Sequence, residues 1–117
     1  SGIRELSRIV FSQGLASLIQ ILFAVAGVFL NLKITKFLVS KGYFDTKLMA
    51  TNKNGIPDLL AVHSTKKNIW IEVKTESGKL SELQKYRIKE LMFYRQPTIV
   101  PYGYDDFITK YNMLNGK

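Results

Sequence analysis

Cysteine is absent from the 117-residue chain, which excludes disulfide frameworks and zinc–thiolate centres alike. That absence fits a reducing compartment, and a cytoplasmic location is expected. Histidine occurs once, at His63, so multi-histidine metal sites are excluded and any bound cation must be held by carboxylates and carbonyls. Such hard oxygen donors favour magnesium or manganese. Acidic residues are few, nine against seventeen Lys and Arg, giving a net charge of +8. A surface of this sign attracts polyanions, nucleic acid first and anionic lipid headgroups second. Internal repeats and low-complexity tracts are also lacking.

The longest absence is of charge, since no Asp, Glu, Lys or Arg lies between Arg8 and Lys33. Within that run Gly14 to Leu30 (GLASLIQILFAVAGVFL) approaches the roughly 20 apolar residues that cross a bilayer as a helix. Ser12, Gln13, Ser17, Gln20 and Asn31 interrupt its apolar character. A helix apolar on all sides also occurs in a core or between subunits, and the balance favours such burial, in a soluble dimer, over a membrane span. Residues 1–32 are therefore expected to form an apolar helical segment, and residues 33–117 a single compact domain. The 46% apolar and 12% aromatic content suffices for one core.

What is present from residue 33 onward alternates charged and apolar residues. Ile34, Phe37 and Leu38 recur at helical spacing, with Gly42 placed to end the helix. Tyr43 to Thr51 is rich in strand formers, and Asn52-Lys53-Asn54-Gly55 is a turn cluster. Asp58 to His63 and Ile69 to Lys74 read as a hairpin joined by the polar Ser64 to Asn68. Leu80 to Phe93 reads as a helix with Ser81 as its N-cap. Thr98 to Val100 gives a final strand, and a last helix opens at Asp105 or Asp106 and runs through Leu114. A strand, a crossover helix and a parallel strand wind right-handed, so the last strand is expected to lie parallel beside Ile69 to Lys74.

The chemistry-bearing pattern is Gly55-Ile56-Pro57-Asp58, then Glu72-Val73-Lys74 fourteen residues later, then Gly78-Lys79-Leu80-Ser81-Glu82-Leu83-Gln84. A hairpin brings Asp58 beside Glu72, and Glu72 and Lys74, two apart on a strand, point the same way. Two converging carboxylates suit a divalent cation. A neighbouring ammonium suits the developing charge of phosphodiester hydrolysis. Asp58 and Glu72 are the expected metal ligands, with the Val73 carbonyl a further donor. Lys74 is expected to orient water or neutralise charge, and Gln84 to help hold the site or substrate. Lys53, Lys79, Lys85, Arg87 and Lys89 are candidate phosphate contacts.

GIPDLLAV and IWIEVKTESGKLSELQ, with the basic helix that follows, resemble the VRR-NUC family, the virus-type replication-repair nucleases of the PD-(D/E)XK superfamily, over about Lys33 to Phe107. The resemblance implies an α/β fold with a restriction-endonuclease-like αβββαβ core, in which helices flank a mixed four-stranded sheet. It also implies magnesium- or manganese-dependent DNA cleavage, branched or junction DNA as substrate in some members, homodimers in stand-alone members, and a bacterial or phage-encoded origin. One feature departs from the family pattern. Members usually carry a first-helix glutamate that completes the metal site, but Gly27 to Asn31 holds no acid. Glu5, the sole acid before Asp45, would serve only if the helices fold back or a second subunit supplies it. Two further readings are a catalytically impaired DNA-binding or assembly module and a membrane-tethered nuclease effector.

Overall fold

The computed structural model describes residues 2–48 and 53–116. Met49, Ala50 and Thr51 of the expected first strand and Asn52 of the turn cluster lie outside them. In chain order the elements are α1 (Gly2–Gln13), α2 (Leu15–Ser40), β1 (Phe44–Lys47), β2 (Leu59–Val62), β3 (Ile69–Ile71), α3 (Glu82–Phe93), β4 (Thr98–Ile99) and α4 (Tyr104–Leu114). The molecule is of mixed α/β class, with one long apolar helix near its N-terminus.

The strands lie side by side in the order β1-β2-β3-β4. The first two pairings are antiparallel, with Lys47 opposite Leu59 and Leu59 opposite Ile71. The last is parallel, Ile71 opposite Ile99, as expected for strands joined by a crossover through α3. Hydrogen bonding to β4's side continues past β3, because Glu72 N donates to Ile99 O and Lys74 N to Pro101 O, each at 3.0 Å. The extended line from Ile69 to Lys74 is thus held in register along its whole length.

Side chains alternate across this sheet. Leu59, Ala61, Ile69, Ile71 and Val73 fill the core with Ile34 and Leu38 of α2 and Phe107 and Tyr111 of α4. Phe37 packs edge-on against both Phe107 and Tyr111, centroids 5.5 and 5.1 Å away. The helix α3 has no fully buried residue, so the expected apolar stripe along it is only partly covered. The end of α2 matches expectation: Tyr43 N donates to Leu38 O at 3.0 Å and Gly42 N to Val39 O at 3.1 Å. Gly42 takes the positive φ of 88° that this turn demands.

The structure adds two findings about the N-terminal third. The helix α2 runs unbroken from Leu15 to Ser40, through the change in composition at residue 33. The apolar stretch is not buried in this chain. Only 6% of its most apolar window is covered. The same helix is core at one end and bare at the other, and α1 packs against α2. The protruding helices stretch the molecule to 51 × 31 × 24 Å and raise its radius of gyration to 16.5 Å, against about 13 Å for a compact chain of this length.

Candidate active site

The loop before β2 sets the position of Asp58. Gly55 has φ of 82°, and a Cβ there would lie 2.8 Å from Leu83 Cγ and 3.0 Å from Leu83 O. Glycine alone lets the loop come this close to α3. Arg87 fastens it, since its Nε donates to Asn54 O at 2.8 Å. Pro57, fully buried, then delivers the chain into β2. Leu48 N donates to Asp58 O at 2.7 Å, which pins the backbone of Asp58 itself.

Extending the β2–β3 register by one pair sets Asp58 opposite Glu72, on the face away from the α2 and α4 core. The two carboxyl groups are within hydrogen-bonding reach. Glu72 is only 3% exposed. Burial first, then the charge of Asp58 and the hydrogen bond to it, push Glu72 up to about 8, with Lys74 pulling the other way. Burial and the facing carboxylate thus favour a protonated Glu72 near neutral pH in the metal-free protein. Lys74 is half-buried, and a Cβ added at Gly78 would lie 3.4 Å from its Cβ and Cδ.

A proton is one way to relieve two facing, buried carboxylates; a divalent cation is the other. Both acids offer hard oxygens, and the backbone adds another. Glu72 and Lys74 direct their N–H groups to β4's side, so the alternating Val73 amide faces β2. The residue opposite is Pro57, which has no N–H to give the Val73 carbonyl. The donor set thus fits magnesium or manganese, which commonly use one or two carboxylates and take remaining ligands from water and phosphate.

Several sequence expectations are met differently. Gln84 Oε1 accepts from Ser81 N at 2.9 Å while Gln84 N donates to Ser81 Oγ at 3.1 Å. This reciprocal capping box starts α3 and occupies the Gln84 carbonyl. Glu5 is not brought to the pair: it is exposed and bonded to Arg8 at 3.2 Å. Among the described residues no group of three acidic or histidine side chains gathers anywhere. Arg87 does not present a free cation, because besides Asn54 it meets Glu90 at 3.1 Å. Lys85 pairs with Glu82 at 3.1 Å on the surface; Lys53, Lys79 and Lys89 are exposed.

Two features of the structure left little trace in the sequence. Pro57 reads as an ordinary turn proline until the register places it opposite Val73. Asn31, in the stretch where the family pattern calls for an acid, donates from Nδ2 to Gly27 O at 3.0 Å. Its buried Oδ1 has no partner among the described residues. The signal available for Asn31 is a single amide inside an uncharged apolar run.

The mixed sheet brings two facing carboxylates and a lysine together on adjoining strands. The VRR-NUC domain family matches residues 38–100, just over half of the chain, and the chain belongs to that family. It is a nuclease-type domain, with DNA as its substrate class. Neither the curated proteins nor the solved structures yielded a match.

Proposed function

We propose that the protein is a divalent-metal-dependent DNA endonuclease built on a restriction-endonuclease-like αβββαβ core, with Asp58, Glu72 and the Val73 carbonyl holding Mg2+ or Mn2+. The observation that carries this reading is the buried Glu72 facing Asp58, with Lys74 two residues along the same strand. A bound cation supplies Lewis-acid polarisation of the phosphate and acidifies water. Lys74 sits where it neutralises charge that develops on the phosphate and leaving oxygen. Asp58 and Glu72, both ionised, would hold the cation on the sheet. Gln84 acts through the α3 cap, and the exposed Lys53, Lys79 and Lys89 supply phosphate contacts. Branched or junction DNA is the proposed substrate shape.

Cleavage of duplex, single-stranded and four-way-junction DNA, with magnesium, manganese or EDTA, tests this. Cutting is expected only with metal. Lys74→Ala is expected to lower the rate by about two to three orders of magnitude while leaving metal affinity intact. Equal rates for a folded Lys74→Ala protein would remove Lys74 from the chemistry. Among the described residues no third acid joins the pair, which favours one second reading, a DNA-binding module with impaired catalysis. DNA binding without cutting under any metal condition would establish it.

A further inference from the structure

The bare half of α2 has no preferred side. Leu22, Phe23, Ala24 and Val25 are all exposed, and four consecutive helical residues, about 100° apart, sample every direction around the axis. Val28, Phe29 and Leu32 are exposed as well. A single facing chain covers one side of a helix, whereas a lipid bilayer covers all of them. Residues 15–32 carry no charge and rise about 27 Å, close to the roughly 30 Å of a bilayer's hydrocarbon core. Exposed Lys33, Lys36 and Lys41 follow at once, at the level of anionic headgroups. The preceding α1 has a strongly amphipathic sequence, suited to the plane of an interface.

The geometry also fixes which end of the domain faces this medium. Lys33 Nζ lies 4.4 Å from the centre of the Tyr104 ring. Tyr104 directly follows Gly103, whose N–H donates to Lys74 O at 3.0 Å. Further along α2, Phe37 meets Phe107 and Tyr111, so α2 and α4 run parallel. The apolar half of α2 therefore departs from the end of the sheet that carries Lys74.

We propose that residues 15–32 of α2 span a lipid bilayer and hold the Asp58–Glu72–Lys74 end of the domain toward the membrane surface. The anchoring stands without the nuclease reading, and only the meaning of its orientation rests on that reading. It is tested by readouts other than cleavage.

The full chain is mixed with phosphatidylcholine vesicles containing phosphatidylglycerol and floated on a density gradient. It is expected to float and to resist extraction by high salt and alkaline carbonate. Because the chain lacks cysteine, Leu22→Cys, Phe23→Cys, Ala24→Cys and Val25→Cys each introduce a unique thiol. All four are expected to be shielded from a water-soluble maleimide in vesicles. Shielding of one side only, or a detergent-free soluble dimer that fails to float, would overturn the span in favour of a second copy. Orientation is read with fluorophores at Glu76→Cys, beside Gly103, and at Lys66→Cys, near Tyr43 and Asn115. Headgroup-labelled quenching lipid is expected to quench the first more strongly. Equal or reversed quenching would overturn the placement of the site end.

Discussion

At the scale of single residues, Glu72 makes the clearest prediction. Its carboxyl is raised in the folded protein to about 8, while in the unfolded chain it titrates near 4.5. Between those values the folded state holds a proton that the unfolded state has lost. Metal-free stability should therefore be highest in acid and fall as pH rises, by at most about 1.4 kcal/mol per pH unit from this group. Metal binding at pH 7 should release that proton. Titration calorimetry with manganese in buffers of different ionisation enthalpy reads the release directly, and an apparent enthalpy independent of buffer would contradict it. Gly55 gives a second test. Gly55→Ala adds a strained positive φ and a Cβ contact of 2.8 Å with Leu83, and is expected to cost about 1–3 kcal/mol. Since the same loop delivers Asp58, manganese affinity should fall with it. Thermal unfolding and calorimetry of the variant check both effects.

At the scale of elements, α3 depends on its first turn. Ser81→Ala removes one half of the capping box and is expected to lower stability by about 1 kcal/mol, a shift of about 4 °C in Tm. Gln84→Ala should lower it comparably by breaking the other half. A much larger loss of cleavage in Gln84→Ala than in Ser81→Ala, with both folded, would show that the Gln84 side chain also touches substrate. That helix was legible in the sequence because Ser81 and Gln84 sit at capping spacing before a long apolar and charged alternation. The hairpin was legible too, since two short β-rich runs flank five polar residues, and its register followed once Asp58 had to meet Glu72. The reach of α2 was not. Propensity and hydropathy are indifferent to whether Leu32 and Lys33 belong to one helix, and the apolar content of residues 15–32 is the same for a buried helix and a bare one. Only packing distinguishes Ile34 and Leu38, fully covered, from Val28 and Phe29. Arg87 likewise looked like a phosphate contact, because nothing local announces a hydrogen bond to Asn54, thirty-three residues away.

At the scale of the whole molecule, α2 joins the bare segment to the core without a hinge. In a chain anchored through that segment, a flexible linker would let the domain sample any height and heading. A continuous helix permits one of each. Height and heading are also geared together, since every residue inserted between Leu32 and Ile34 would raise the domain by about 1.5 Å and turn it by about 100°. A single insertion would swing the Asp58–Glu72 pair away from whatever it faces. About seven residues, two turns, would restore its heading at a standoff some 10 Å greater. The tether thus works as a screw thread, and changes in its length are tolerated only in whole turns.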